Sequence, residues 1–193
     1  MGAAIIAKAY RMVHSMFTTA VDDLLIRRNL CRIKGAGQDK VDEWPTLTID
    51  QVFAVADAIR PRYRLLVLLG ALTSLRFGEF AALRRRDVDL EDGELRVRRS
   101  QAELKHGRTI IKDPKSEAGK CSVAIPDVVL ADLRDHLDRF SEAGRDGLVF
   151  VGPNGGQLRR RNFHRLWTKA LTDAKVDEDD VHFHDLRHTG NTQ

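Results

Sequence analysis

The chain has 193 residues, 42% of them hydrophobic and 31% charged, which suits one ordinary folded domain with part of another. Its net charge of +4 favours a polyanionic partner, and no apolar run approaches the roughly 18 residues of a membrane span. The two cysteines, Cys31 and Cys121, lie far apart without further ligands nearby, which argues against a disulfide framework or a zinc site. The N-terminus lacks a signal-peptide pattern, so we expect a cytoplasmic protein. We also expect no cofactor.

The first predicted element is an amphipathic helix over residues 3–27, whose apolar side chains recur at three- and four-residue steps and which ends near Asn29. Residues 35–46 are rich in glycine, aspartate and lysine and predict a linker. A lone helix cannot bury its own apolar stripe. We therefore interpret residues 1–34 as the C-terminal part of a larger helical domain.

The pattern of residues 47–193 predicts a second domain of the α+β class, which is mainly α-helical and has a small antiparallel β-sheet. It starts at Thr48, where a glutamine three residues later completes a capping box. A turn at Asp92-Gly93 leads into a strand with alternating apolar residues. The predicted helices lie at about 48–59, 62–73, 77–84, 127–140 and 161–174 and from 184 onward. The predicted strands lie at about 94–98, 108–112 and 121–125, with 115–120 as a turn, and residues 148–151 form a short buried strand or extended segment.

Arginine rather than lysine dominates the basic clusters, which favours forked contacts to phosphate oxygens. Solvated surface charge explains any single cluster equally well. The clusters are Arg84-Arg85-Arg86, Arg96, Arg98-Arg99 and Arg159-Arg160-Arg161.

His184 and Arg187 stand three residues apart, a spacing that places two side chains on one helical face about 5–6 Å apart at Cβ. Such a pair could grip a phosphate and handle a proton. Taken alone, this pattern and two others have ordinary structural explanations. The pair could lie on a helix surface, Arg76 could form a salt bridge with Glu79, and Lys115 could be a solvated loop lysine.

In combination the motifs are specific, because their order resembles that of the tyrosine recombinase (phage integrase) family. The catalytic domain of that family carries Arg, Lys, His-x-x-Arg, His or Trp, and Tyr in this order. The resemblance covers residues 47–193 and is strongest at 73–83, 114–126 and 184–189. Ser74 stands where many members have glycine. Residues 3–46 resemble the last helix of the family's core-binding domain and the linker after it.

The resemblance implies an enzyme that cleaves DNA by tyrosine attack on a phosphodiester, which leaves a 3′-phosphotyrosine and a free 5′-hydroxyl. In that chemistry Arg76 and Arg187 hold the nonbridging oxygens, since guanidinium groups stay charged and bind oxygens in a fork. Lys115 protonates the leaving 5′-oxygen, and His184 contacts the phosphate or handles a proton. The implied partners are double-stranded DNA in the bacterial nucleoid and further copies of the chain on it, a tetramer in the family, with no membrane.

Two choices among these residues have alternatives. Lys112 and Lys120 are rivals for the turn lysine, and Lys115 is preferred because it follows Pro114 at the strand exit, as the family lysine commonly does. His184 and His188 are four residues apart and could share a metal ion. Without a third ligand in the sequence nearby, we expect no metal there.

The family's second His or Trp and its nucleophilic tyrosine belong tens of residues after His-x-x-Arg, and this sequence ends at Gln193. Its tyrosines, Tyr10 and Tyr63, do not occupy the position of the nucleophile, so we expect the chain alone to be inactive in strand exchange. Three interpretations remain: a recombinase by descent, a non-catalytic DNA-binding module and a degenerate remnant. A type IB topoisomerase is the nearest enzymatic rival, and the helix 3–27 with its linker favours the integrase.

Overall fold

The structure, a computed structural model, divides the chain into two units, Met1–Glu43 and Trp44–Gln193. No helix among the described residues is both long and apolar enough to cross a membrane. The described residues are 2–38, 46–104, 107–113, 121–176 and 181–187.

Helix α1 (Ala3–Asp22) makes up most of the first unit and is shorter than the sequence predicts, so the predicted end near Asn29 is wrong. Its last residue and Asp23 place two carboxylates at the negative end of the helix dipole, which disfavours continuation. Leu24 then takes a left-handed conformation with φ 61°. The Asn29 amide donates a hydrogen bond to the His14 carbonyl at 2.9 Å, so the segment after the helix folds back along it.

Within the first unit, α1 leaves most of its apolar side exposed. Ala7 is its one buried residue among those described. Five larger apolar side chains are between 42% and 61% exposed: Ile5, Ile6, Met12, Val13 and Met16. A helix with this pattern has an apolar stripe that its own unit does not cover.

The second unit begins with three helices that agree closely with the predicted ones: α2 (Ile49–Ala58), α3 (Pro61–Leu72) and α4 (Phe77–Ala82). The predicted capping box is confirmed. The Gln51 N–H donates to the Thr48 hydroxyl at 3.2 Å, and the Thr48 N–H donates to the Gln51 side chain at 2.8 Å. These bonds satisfy backbone groups that the first turn of a helix cannot pair internally.

Helix α3 lies at the centre of the core because its sequence is apolar on every side. Residues 65–69 are each at most 2% exposed, as the apolar run there predicts. It packs between α2 and the later helix α5 (Leu130–Arg139). The largest fully buried side chains of the unit are Trp167, Tyr63, Phe80, Phe150 and Phe163.

Two small antiparallel sheets accompany the helices, which confirms the predicted α+β class. Their strands are β1 (Val88–Asp89), β2 (Glu94–Val97), β3 (Ser100–Glu103), β4 (Thr109–Lys112) and β5 (Cys121–Ala124). One sheet has the order β1-β2-β5, and the other joins β3 to β4.

The strands at 109–112 and 121–124 lie where the sequence predicts them, but they do not pair with each other. Strand β4 pairs with β3, and Lys112 lies opposite Ser100. Strand β5 pairs with β2, and Cys121 lies opposite Val97. The pairing partner of the chain therefore changes at residues 98 and 99, between β2 and β3. A single sequence does not reveal this change, because strand pairing depends on contacts between segments that are separate along the chain.

The C-terminal half differs from the prediction at one place. Residues 148–151 are buried and form isolated bridges, which leaves the second of the two predicted forms, an extended segment rather than a strand. His184 lies in a 3₁₀ turn, Phe183–Asp185, and regular helix starts only at Leu186, so the predicted helix from residue 184 is wrong in its first turn. Helix α6 (Arg160–Asp173) agrees with the prediction.

A buried histidine in α5 predicts a pH-dependent stability of the unit. His136 is 3% exposed, and its Nε2 lies 2.8 Å from the Val149 carbonyl, between the rings of Phe140 and Phe150. Burial lowers the pKa of His136 from its ordinary value, and the bond to Val149 raises it to a lesser extent. The unfolded chain therefore binds this proton at a higher pH than the folded chain does.

We expect the free energy of unfolding to fall as the pH drops through about 6.5, with a slope of at most about 1.36 kcal/mol per pH unit for this proton. The loss continues down to the folded pKa and then levels off. His136→Gln, which keeps a donor for Val149, should flatten this slope in urea titrations at several pH values. His164→Gln, at an exposed site on α6, serves as the control. An unchanged slope in His136→Gln would assign the effect to other groups.

Candidate functional site

Arg76 caps the N-terminus of α4 and is braced by Glu79. The Arg76 N–H donates to one Glu79 carboxylate oxygen at 2.7 Å, and its guanidinium donates to the other at 3.2 Å. The arginine side chain is 64% exposed, whereas that of Glu79 is 14% exposed. The carboxylate thus orients the guanidinium while leaving most of its donors facing solvent.

The turn before Arg76 explains why glycine suits position 74. Ser74 has φ 53°, a left-handed conformation that glycine adopts without steric cost. Thr73 ends α3, and its hydroxyl donates to the Leu69 carbonyl at 2.6 Å. The tight turn lets α4 start directly after α3.

A glycine contact then fixes α4 against strand β3. A Cβ on Gly78 would lie 2.5 Å from the carbonyl oxygen of Gln101 and 2.8 Å from the Ser100 hydroxyl. The buried Gln101 side chain donates to the Leu158 carbonyl at 2.8 Å. The helix that begins beside Arg76 is therefore held directly on the sheet, and β3 is held to the segment before α6.

The segment that carries His184 and Arg187 is anchored by its neighbours. Trp167 on α6 donates its indole N–H to the Val181 carbonyl at 2.9 Å. The His182 N–H donates to the buried Asp185 carboxylate at 2.7 Å. Between these anchors the structure leaves His184 exposed and Arg187 half-buried.

An aromatic contact brings this segment to the one that carries Arg76. Phe183, directly before His184, and Phe77, directly after Arg76, meet edge to face with ring centroids 5.9 Å apart. Phe183 also packs on Phe163, at 5.0 Å, and lies against Gly70 of α3. Two parts of the sequence separated by about a hundred residues are thereby held together by a packed core rather than by exposed loops.

Lys115 lies outside the described residues, and so do its rival Lys120 and His188. The described residues on either side of that segment are Asp113, which follows the exposed end of β4 at Lys112, and Cys121, the start of β5. Among the residues that the structure describes, no group of three His, Cys, Asp or Glu side chains could hold a metal ion.

The structure shows which arginine clusters form ion pairs within the protein, a difference that the sequence does not reveal. Most of them bind within the protein: Arg84 and Arg86 pair with Asp146, Arg85 donates to the Leu137 carbonyl, Arg96 pairs with Asp89, and Arg98 and Arg99 pair with the buried Asp87. The pairs to Asp87 involve the two residues between β2 and β3, where the strand pairing changes. These arginines are therefore engaged within the protein, although the Arg98 side chain stays 57% exposed.

The cluster at residues 159–161 is different, because it is exposed at the N-terminus of α6. The first turn of this helix has no acidic residue of its own, and the Glu103 carboxylate of β3 accepts the Arg160 backbone N–H at the positive end of the helix dipole. The Arg160 guanidinium carbon lies 5.6 Å from the centroid of the Phe77 ring. Arg160 thus neighbours the Arg76 segment, a relation that the sequence pattern does not reveal.

The two tyrosines are engaged elsewhere. Tyr63 is fully buried, donates its hydroxyl to the Val151 carbonyl at 3.1 Å, and has its pKa raised by burial. The Tyr10 hydroxyl accepts the Ile33 N–H at 2.8 Å within the first unit. The core position expected for Tyr63 is confirmed.

Comparison with known proteins shows the family of the chain. The family model for the phage integrase family matches residues 45–193. The chain is 33% identical over 187 residues to a putative prophage phiRv2 integrase of Mycobacterium tuberculosis and 34% identical over 189 residues to the integrase of Mycobacterium phage D29. Each alignment covers 95% of this chain and 49% of the relative, so the chain spans about half the length of these relatives.

Among solved structures, the fold is similar to that of the Tn1549 transposon integrase in complex with a circular intermediate DNA. The TM-score is 0.74 at 17% sequence identity, and the match covers 95% of this chain and 64% of that chain. At this identity the likeness concerns the fold.

Proposed function

This chain belongs to the phage integrase family, and on that premise we propose that it is part of a site-specific DNA recombinase. The recombinase cleaves and rejoins DNA strands through a phosphotyrosine intermediate. The contact between Phe77 and Phe183 is the observation that carries the proposal. It joins the segment of Arg76 to the segment of His184 and Arg187, as one phosphate-binding pocket requires.

In the proposed pocket, Arg76 and Arg187 bind the nonbridging oxygens of the scissile phosphate. Charge on these oxygens grows in the transition state, and positioned guanidinium groups stabilise it. Glu79 positions Arg76 through the two contacts given above. Lys115 protonates the leaving 5′-oxygen, and His184 contacts the phosphate or handles a proton.

The exposed arginines at the start of α6 extend the proposed DNA contact. Their guanidinium groups are exposed and would bind the phosphates of a polyanion. Arg160 adjoins Phe77, so a DNA backbone that reaches Arg76 passes close to this cluster. Contacts of this kind position the duplex without reading its sequence.

We assign residues 1–34 to the end of a core-binding domain, 35–46 to a linker and 47–193 to the catalytic domain. The uncovered apolar side of α1 supports the first assignment. Double-stranded DNA of the bacterial nucleoid is the proposed substrate, and a tetramer on DNA is the proposed assembly. The nucleophile is neither Tyr10 nor Tyr63, because both hydroxyls bind within the protein.

Mobility shifts with an arbitrary DNA duplex at several salt concentrations test the pocket. The chain should bind with an affinity that falls steeply with salt. Arg76→Ala and Arg187→Ala should each reduce the slope of log affinity against log salt by about one, since each removes one phosphate contact. Arg134→Ala, at an exposed position on α5, should leave the slope unchanged. Absence of any shift at low salt would reject DNA binding by this chain.

A further inference from the structure

A second basic site lies at the other end of α3. A cavity of about 440 Å³ opens there, lined by Arg60, Pro61, Arg62, Arg139, Phe140 and Pro153. None of these lining residues carries a carboxylate. Gly70, which contacts Phe183, lies ten residues along α3 from Arg60, roughly 15 Å at the rise of an α-helix. The cavity is therefore separate from the proposed phosphate pocket.

The three arginines of the cavity have different tasks. Arg62 donates to the carbonyls of Gly152 and Pro153 at 3.0 and 3.3 Å, so its guanidinium group is bound within the protein and forms part of the cavity wall. Arg139 pairs with Asp135 at 2.9 Å, but this pair is 60% and 55% exposed, and such pairs are weak in water. Arg60 is exposed at the N-cap of α3. Arg60 and Arg139 are thus the two guanidinium groups offered to a ligand.

The remaining lining residues are apolar and stiff. Phe140 is half-buried, with the Arg139 guanidinium carbon 5.0 Å from its ring centroid, and Pro61 and Pro153 are exposed. A phosphate of a DNA backbone needs cations but gains nothing from an apolar floor. A concave site that combines guanidinium groups with rings suits a peptide with both carboxylate and apolar side chains.

We propose that this cavity docks an acidic peptide segment of a partner protein. Carboxylates of the segment bind Arg60 and Arg139 in forked hydrogen bonds, and an apolar side chain between them packs on Phe140 and the two prolines. The site is independent of the DNA reaction, so it stands even where the proposed function fails.

A fluorescein-labelled pentapeptide, with one phenylalanine flanked by two glutamates on each side, serves as the probe. Anisotropy titration with the full chain should show saturable binding. The same peptide with glutamines in place of glutamates should bind with an affinity at least about tenfold lower, because the charged hydrogen bonds are lost. Lack of binding by the acidic peptide would overturn the proposal.

Variants locate the site. The double variant Arg60→Ala/Arg139→Ala should weaken the acidic peptide by about tenfold or more, whereas Arg134→Ala, on the same helix as Arg139, should not. Arg187→Ala should also leave peptide binding intact, which separates this site from the phosphate pocket. Equal binding by the double variant would contradict the proposal. So would a double variant that loses affinity for a DNA duplex in mobility shifts, because the cavity would then be a DNA contact.

Discussion

Phe183→Ala is expected to lower the free energy of unfolding of the second unit by about 3 kcal/mol and to weaken DNA binding by the folded protein. The ring packs edge to face on Phe77, Phe163, Phe80 and Trp167 at centroid distances of 5.9, 5.0, 6.3 and 5.6 Å. Its partial burial places the cost at the lower end of values for phenylalanine truncation. Urea denaturation measures the stability, and mobility shifts at a permissive temperature measure the binding.

Phe53→Ala is the matched control for this prediction. Phe53 on α2 is also a half-buried phenylalanine packed against the same core, away from the Arg76 segment in sequence. Both variants should lose stability, but Phe183→Ala should also release the segment of His184 and Arg187. If the two variants, both folded, bind DNA equally well, the Phe77–Phe183 contact does not organise the pocket.

Gly78→Ala should destabilise the unit by about 2 kcal/mol, although alanine favours a helix over glycine by about 1 kcal/mol. The new methyl would lie 2.5 Å from the backbone oxygen of Gln101, which belongs to a paired strand and cannot turn aside. Helix α4 must therefore move away from β3 and carry Arg76 with it. The measurements are urea denaturation and the salt slope of DNA binding.

Two further variants separate the causes. Adding Ser100→Ala removes the hydroxyl 2.8 Å from the new methyl but should not rescue Gly78→Ala, since the backbone contact remains. Gly70→Ala meets the end of the Phe183 ring at 2.8 Å, and since that ring packs on four others, it should displace the segment of His184 rather than that of Arg76. A Gly78→Ala protein as stable as the original would show that α4 is not wedged against β3.

Both predictions concern residues that carry no chemistry. Arg76 and His184 are exposed, and their positions depend on the buried aromatic rings and the glycine contacts beneath them. Packing at crystal-like density transmits a displacement of a few tenths of an ångström to the surface. Stability and DNA binding should therefore respond together to changes at these core positions.

Local signals in the sequence predict most helices well. The capping box at Thr48 and Gln51 and the apolar run of α3 act through neighbours within a few residues, so they are visible in one sequence. The errors lie where distant contacts decide. Helix α1 ends at Asp22, and Asn29 folds back to the His14 carbonyl. The strand pairing changes between β2 and β3, next to Arg99, which binds Asp87 at 2.8 Å.

By itself, the sequence determined the family, the fold class and the order of the candidate residues Arg76, Lys115, His184 and Arg187, because each rests on residue type and spacing along the chain. Only the tertiary structure decided which basic residues remain available to a ligand. A sequence does not show which way a charged side chain points, so Arg99 and Arg160 cannot be distinguished from it. In the fold, Arg99 pairs with the buried Asp87 carboxylate, whereas Arg160 lies beside the Phe77 ring. It also decided that the segments of Arg76 and His184 meet, since a contact between rings about a hundred residues apart arises only from packing of the core.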